Sequence, residues 1–325
     1  MKPNRFYVLT LVALALTLFC GEMACCEEYP EKPINMIVAY ELGALTDMES
    51  RVMMSVAWEK QYLGERINIV NKRQSLRGKT GWNWCKGEAC TDGYAMMGYK
   101  LPHFIAKALV YKTGSDITAF EPLANWSREP AALIVPANSP FLTLQSLIAY
   151  AKKYSGKVSV SGAGLYVGHH IAMLQLEKAA GVVLTYIPET SGMAAMHSVM
   201  IGAVKAGFND LSAALRSRDR VRILALADGR RSPLAPEVPT FLELGVGVDD
   251  LSVCYRGVAF PKGVSPEALA ICENVFPRML KDVRLENAMA IMQGSVKIMD
   301  RRELIGLFDQ TRQRLQAVLR NEIKK

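Results

Sequence analysis

The chain has 325 residues, half of them apolar and 22% charged, and its formal net charge is +8. This length is sufficient for two domains with separate cores, and the composition excludes a disordered chain. The lysines and arginines are scattered, and no basic run alternates with aromatic residues. That pattern argues against nucleic acid as a partner and leaves small anions as the partners that the charge favours.

Residues 1–26 form the first predicted element, a secretory signal peptide. Lys2 and Arg5 precede an apolar stretch, Phe6 to Cys20, and small residues follow before the chain becomes polar at Glu27. The stretch is shorter than the roughly 20 apolar residues that a membrane-spanning helix needs. We therefore expect export to the periplasm through a cleaved signal peptide. A lipid anchor on a cysteine near the cleavage point is the alternative.

Strand and helix patterns then alternate along the chain. Ile34 to Tyr40 is a continuous apolar run, which predicts a strand buried on both faces. Thr46 and Glu49 match a capping box, which predicts a helix that begins after Thr46 and ends at Gly64.

The same order of strand, loop and helix recurs through the rest of the chain. The further predicted strands are Ile67–Val70, Tyr94–Gly98, Ala131–Val135, Val158–Ser161, Val182–Ile187, Val204–Phe208 and Ile223–Ala227, and further helices begin near Thr143, His169 and Met193. Such alternation predicts an α/β fold with parallel sheets covered by helices.

Two loops share an arrangement that favours anion binding. Tyr40 to Asp47 and Ser161 to His169 each follow a buried strand, contain glycine and lead into a helix. The first N–H groups of a helix have no partner within it, and the helix dipole makes that end positive. Glycine lets the backbone approach a ligand closely. Two such loops facing each other predict a carboxylate site; the alternative is that each is only a tight turn into a helix.

Cysteines add one open question. Cys85 and Cys90 lie five residues apart in a polar stretch. In an oxidising compartment they form either a local disulfide or two free thiols, and the sequence leaves both possibilities open. The cysteine spacings do not match a zinc site, so no metal is predicted.

Seven short motifs follow one another along the predicted mature chain. They lie within Tyr29–Ile34, Ala39–Arg51, Ile69–Tyr94, Leu144–Lys152, Ser161–His169, Ala225–Phe241 and Gly257–Gly263. The first reads Y-P-E-K-P-I and the fifth reads S-G-A-G-L-Y-V-G-H. In this order they resemble the Bug family, the substrate-binding proteins of tripartite tricarboxylate transporters. Seven collinear motifs are far more specific than any one of them.

The resemblance implies a type II periplasmic-binding-protein fold, in which two Rossmann-like lobes enclose a central ligand cleft. Lobe 1 would comprise residues 28–134 and 255–325, and lobe 2 residues 135–254. In the family the two loops clamp one carboxylate of the ligand, and no cofactor takes part. The ligand-binding residues that this implies are Tyr40, Glu41, Leu42, Gly43, Ala44 and Asp47 in the first loop and Ser161, Gly162, Ala163, Gly164 and Tyr166 in the second.

Three departures from the family pattern bear on the ligand. Glu41 replaces a small apolar residue, and it either faces solvent or meets the ammonium group of an amino-acid-like ligand. Arg77 and Lys79 lie where the family has glycines. If their loop lines the cleft, Arg77 or Lys79 is a candidate partner for a second ligand carboxylate; if it faces water, the two form a solvated patch. The family's Tyr-Lys-Gly is absent at Glu189 to Gly192.

These features predict a periplasmic solute-binding protein, not an enzyme. It would capture a small organic acid or amino acid and deliver it to the membrane subunits of a tripartite tricarboxylate-type transporter. The alternative is a ligand-sensing protein that docks on a sensor kinase, since lobe closure serves both roles. A secreted hydrolase is a remote alternative, because the sequence lacks the G-x-S-x-G and H-E-x-x-H motifs.

Overall fold

The computed structural model describes residues 29–72, 90–112, 119–292 and 294–323. Within these residues the strands are β1 (Ile34–Val38), β2 (Ile67–Asn71), β3 (Ala95–Leu101), β4 (Phe120–Glu129), β5 (Ala131–Pro136), β6 (Ser159–Gly162), β7 (Thr185–Pro188), β8 (Ala206–Asp210), β9 (Val221–Ala227), β10 (Cys254–Pro261) and β11 (Val296–Met299). The helices are α1 (Leu45–Glu59), α2 (His103–Tyr111), α3 (Leu144–Lys153), α4 (Gly168–Ala180), α5 (Gly192–Met200), α6 (Leu211–Arg216), α7 (Pro266–Leu280), α8 (Val283–Ile291), α9 (Arg301–Val318) and α10 (Arg320–Ile323).

The strands form two mixed sheets, which confirms the predicted α/β class. The order is β11-β4-β10-β3-β1-β2 in the six-stranded sheet and β7-β6-β8-β5-β9 in the five-stranded sheet. Strand β1 runs parallel to β2 and β3, and β6 runs parallel to β7 and β8. These are the pairings that strand–helix–strand units produce.

Strands β5 and β10 correct the expectation of purely parallel sheets. Both run antiparallel to their neighbours. Each begins where the chain passes from one sheet to the other: β5 follows β4 across Pro130, and β10 begins at Cys254 after a single turn of 3₁₀ helix. Because each of the two strands enters its sheet from the other sheet, no strand–helix–strand crossover within one sheet precedes it, and such a crossover is what makes neighbouring strands parallel.

Apolar side chains fill both faces of each sheet. Along β5, Ala131, Leu133 and Val135 join one buried cluster, while Ala132 and Ile134 join another on the opposite face. The six-stranded sheet is covered in the same way by two further clusters. A strand buried on both faces therefore has no polar alternation, as the continuous apolar runs predicted.

Helix α1 does not have the predicted capping box. It begins at Leu45 with Ala44 as N-cap, and it ends at Glu59, before Gly64. The Glu49 side chain is fully buried and bonds elsewhere, so it cannot reach back to the helix start. Gln61 takes the positive φ of 52° that terminates the helix.

The chain passes from the six-stranded to the five-stranded sheet between Glu129 and Ala131, and it returns to the six-stranded sheet at Cys254. The division into lobes at residues 134 and 254 stays a prediction. No helix in the described ranges combines the length and the apolarity needed to cross a membrane. The expected signal peptide lies outside the described residues.

Candidate functional site

A buried carboxylate organises the first loop. Asp47, in the first turn of α1, accepts hydrogen bonds from the Gly43 N–H at 2.8 Å, from Arg51 Nε at 3.0 Å and from Asn71 Nδ2 at 2.8 Å. Asn71 Nδ2 also donates to the Tyr40 carbonyl. Burial alone would raise the pKa of Asp47, but these hydrogen bonds hold it below its ordinary value. An ionised Asp47 therefore fixes the loop from within, and Gly43 supplies the required φ of +80°.

The second loop is held by its own backbone and by an aromatic side chain. The Gly162 carbonyl accepts the N–H groups of Gly164 and Glu189, both at 2.8 Å. The Tyr186 hydroxyl donates to the Gly164 carbonyl at 2.8 Å. Ser161 is fully buried, and its hydroxyl donates to the Ala195 carbonyl. These contacts give the loop a single defined path between β6 and α4.

Two neighbouring histidines bond the second loop through their Nδ1 atoms. His169 Nδ1 accepts the Ala163 N–H and His170 Nδ1 accepts the Tyr166 N–H, both at 3.2 Å. His170 stacks on Tyr186 with ring centroids 4.4 Å apart. Burial lowers the pKa of His170 to about 4, so its ring is neutral at neutral pH. In a neutral ring, Nδ1 can accept the hydrogen bond from the Tyr166 N–H.

The helices that follow the two loops both begin without a side-chain cap. No side chain caps the N-cap residues Ala44 of α1 and Val167 of α4. The N-cap residues of α2 and α6, Pro102 and Asp210, also provide no side-chain cap. In contrast, the starts of α3, α5, α7, α8 and α9 are capped by Thr143, Ser191, Ser265, Asp282 and Asp300. The first N–H groups of α1 and α4 are therefore not satisfied by a side chain of their own N-cap residue. Such N–H groups can hold an anion.

His103, which the sequence analysis did not single out, lies where the two loops approach each other. Its ring centroid is 6.4 Å from that of Tyr40, and its Cε1 is 3.6 Å from the place that a Cβ on Gly168 would occupy. The side chain is only 3% exposed, and among the described residues Nδ1 has no hydrogen-bond partner. Burial, with the charges of Lys100 and Lys107, holds the pKa of His103 well below its ordinary value. The site thus contains a neutral imidazole.

A network of buried charges lies behind both loops. Arg256 is fully buried; its Nη2 lies 2.7 Å from Asp210 Oδ2 and its Nη1 lies 3.3 Å from Glu49 Oε1. Asp210 also meets Lys100 Nζ at 3.5 Å and His169 Nε2 at 3.3 Å. Burial alone would raise the pKa of Asp210, but these three cations and donors keep it well below its ordinary value. The network joins α1 to α4 across the two sheets.

Comparison with known proteins identifies the family. The model of the tripartite tricarboxylate transporter family receptor matches residues 62–322. This chain belongs to that family. The predicted resemblance to the Bug proteins is thereby confirmed.

Curated relatives and solved structures agree with this assignment. The receptor is 28% identical over 260 residues to a UPF0065 protein of Cupriavidus necator, covering 78% of this chain and 76% of the relative. It is 25% identical over 294 residues to BugT of Bordetella pertussis, covering 88% and 86%.

Three solved structures show the same fold. The periplasmic binding protein BugD is 22% identical with a TM-score of 0.78, covering 90% of this receptor and 98% of BugD. MatC of Rhodopseudomonas palustris with bound malate is 21% identical with a TM-score of 0.77, covering 90% and 100%. Rpa4515 of R. palustris with adipate is 20% identical with a TM-score of 0.78, covering 91% and 98%.

The predicted site residues of the receptor differ in exposure. Leu42 is 74% exposed and Glu41 is also exposed at the tip of the first loop, whereas Asp47, Ser161 and Gly162 are buried. The Ala163 N–H donates to His169 Nδ1, so this N–H group is not available to a ligand. Tyr166 has a φ of +55° and its hydroxyl donates to Glu322 at 2.9 Å.

Several predictions for the receptor lie outside the described residues. Arg77, Lys79 and Cys85 are in this group. The second-carboxylate hypothesis for Arg77 and the disulfide hypothesis for Cys85 and Cys90 therefore stay predictions. The choice between the solvent-facing and ammonium-binding interpretations of Glu41 also stays open.

Proposed function

We propose that this receptor captures a small organic acid between the loop of residues 40–47 and the loop of residues 161–169. One carboxylate of the acid would be held by the first N–H groups of α1 and α4. The receptor would then deliver the acid, chemically unchanged, to the membrane subunits of a tripartite tricarboxylate transporter. No residue has a catalytic role in this proposal.

The observation that carries the proposal is the pair of helix starts without side-chain caps. Each follows a loop that is locked by buried contacts, Asp47 in one case and Tyr186 in the other. Preformed N–H donors bind a carboxylate without the entropic cost of ordering a long charged side chain. His103 lies between the two loops as a neutral polar group.

Two solved relatives support a carboxylate as the ligand. One holds malate and the other adipate, and both acids carry two carboxylates. An amino acid is a second ligand class within the same proposal, because Glu41 places an exposed carboxylate on the first loop and a carboxylate attracts an ammonium group.

The proposed location is the periplasm, because residues 1–26 have the order of a cleaved signal peptide. The protein for the binding experiments should therefore be recovered from a periplasmic extract. Its N-terminal sequence is expected to begin close to Glu27, and a retained leader would contradict this location.

A thermal-shift screen tests the proposed function. The panel holds mono-, di- and tricarboxylates and amino acids, each beside its uncharged amide or methyl ester. An acid at a hundred times its dissociation constant stabilises the folded state by about 2.7 kcal/mol, which raises the melting temperature by a few degrees. The amide or ester of the same acid should give no shift.

Titration calorimetry with the best acid supplies the affinity, and mass spectrometry of the released ligand checks that it is unaltered. Equal shifts by an acid and its amide would contradict carboxylate capture. A converted ligand would contradict the absence of catalysis.

A further inference from the structure

The hydrogen bonds of His169 define its tautomer. Its Nδ1 lies 3.2 Å from the Ala163 nitrogen and accepts that N–H. A ring that accepts at Nδ1 carries its hydrogen on Nε2 when it is neutral. Nε2 lies 3.3 Å from Asp210 Oδ1, so the hydrogen points at a carboxylate. His169 is 2% exposed, and water therefore has little access to the ring.

Asp210 is itself held in place by buried cations. Its second oxygen, Oδ2, lies 2.7 Å from Arg256 Nη2 and 3.5 Å from Lys100 Nζ. Arg256 Nη1 also donates to Oε1 of Glu49 in α1. Glu49 Oε2 accepts hydrogen bonds from Trp126 Nε1 and the Ser127 hydroxyl, both at 2.9 Å. The orientation of the imidazole is thus imposed by the core of the molecule.

We infer that His169 is a positioning residue for the second loop. Asp210 fixes the tautomer of His169, and His169 holds the Ala163 N–H. This keeps the loop between Ser161 and Val167 in the path that leads into the start of α4, whose first N–H groups the proposed function assigns to a carboxylate. The inference rests on the proposed function for its effect on binding, but its effect on the loop can be measured without any ligand.

Two substitutions separate this role from simple filling of the core. In His169→Asn the side-chain oxygen can occupy the place of Nδ1 and accept the Ala163 N–H, while the contact with Asp210 is lost. In His169→Gln the amide reaches the place of Nε2 and can donate to Asp210, while the acceptor for Ala163 is lost. Both variants shorten or reshape the same buried side chain, so a purely structural role predicts similar effects from both.

The first readout is amide hydrogen exchange at Ala163, measured by NMR on the full protein without added acid. We expect protection in the wild type and in His169→Asn. We expect exchange that is about fivefold to tenfold faster in His169→Gln, as the loss of one hydrogen bond of ordinary net strength predicts. Equal exchange in all three proteins would overturn the inference.

The second readout is the dissociation constant for adipate and for malate. His169→Gln is expected to bind about tenfold more weakly than the wild type, and His169→Asn within about threefold of it. Affinities that fall equally in both variants would overturn the positioning role. If the wild type binds neither acid nor any member of the carboxylate panel, the proposed function fails, while the Ala163 exchange rates still decide the positioning role.

A measurement on the unmodified protein covers the case in which a variant does not fold. The ¹⁵N resonances of the His169 ring distinguish a protonated from an unprotonated nitrogen. Hydrogen on Nε2 and none on Nδ1 is the expected result, because Nδ1 accepts the Ala163 N–H. Hydrogen on Nδ1 would overturn the inference, because that ring could not accept from Ala163.

Discussion

At the scale of single residues, the path of the second loop requires a residue without a Cβ at position 162. A Cβ on Gly162 would collide with the Tyr186 hydroxyl and would lie 2.9 Å from His169 Cβ. Tyr186 cannot move away cheaply, because it stacks on His170 and donates to the Gly164 carbonyl. By contrast, Gly43 is required for its positive φ, and the space around it is open.

Replacement of Gly162 by alanine should therefore weaken acid binding. The loop must shift by several tenths of an ångström to admit the methyl group, which displaces the donors at the start of α4. We expect the dissociation constant for the best acid to rise at least about tenfold, which corresponds to about 1.4 kcal/mol. Gly229→Ala is the matched control, because a Cβ there meets nothing within 4 Å. Equal affinities in the two variants would remove Gly162 from the site.

At the scale of elements, one helix is capped by a residue of the other sheet. Glu129, at the end of β4, accepts the Ser212 N–H near the start of α6 at 2.6 Å. Its second oxygen is buried and has no partner among the described residues. Burial, with the nearby Asp210 carboxylate, raises the pKa of Glu129 to about 7. Glu129 thus takes up a proton in the folded state at a pH where the unfolded chain has lost it.

The stability of the protein should therefore depend on Glu129 between about pH 4.5 and pH 7. A carboxyl whose pKa is raised on folding stabilises the native state below its unfolded pKa and loses that contribution as the pH rises through its folded pKa. Glu129→Gln mimics the protonated form and should be more stable than the wild type at pH 8 by about 1–3 kcal/mol. At pH 5 the wild type and Glu129→Gln should have nearly the same free energy of unfolding.

Urea denaturation at both pH values checks this expectation. The comparison of the two proteins is essential, because His170 has a lowered pKa and destabilises the native state as the pH falls through the same range. A glutamine variant that is less stable than the wild type at pH 8 would show that the carboxylate is ionised and needed there.

At the scale of the whole molecule, charged pairs join the two sheets beside the strands that connect them. Arg128 of β4 forms two hydrogen bonds with Asp228, which follows β9, at 2.5 and 2.6 Å. Arg256 of β10 pairs with Asp210 of β8. These bonds fix how the two loops face each other, because each loop belongs to a different sheet.

Replacement of Asp210 by alanine should be strongly destabilising. Among the described residues, it would leave buried Arg256 with Glu49 as its remaining salt-bridge partner, and it would remove the acceptor from His169. Removing one partner of a buried pair costs about 3–5 kcal/mol. Glu59→Ala is the matched control, because Glu59 pairs with Arg284 at 2.6 Å on the surface. Glu59→Ala should lower the free energy of unfolding by at most about 1 kcal/mol. Equal losses in urea denaturation would falsify the assignment of Asp210 as a buried anchor.

The amino-acid sequence was sufficient to predict the strands β1–β3 and β5–β9, the helices α1 and α3–α5, and the family, but not β4, β10, β11 or the other helices. Continuous apolar runs mark strands that are buried on both faces, and glycines mark the two loops, because backbone burial and positive φ values impose local requirements on residue type. Collinear motifs then sufficed to predict the family, which the family model confirms.

The pairing of the polar side chains is visible in the three-dimensional fold and not in the sequence pattern. Glu49 looks like a local helix cap, yet it bonds Trp126, Ser127 and Arg256, which lie 77, 78 and 207 residues further along the chain. Asp210 and His169 are 41 residues apart in the sequence and in contact in the fold. A buried charge requires a partner, but that partner can come from any part of the chain, so local patterns carry no signal for it.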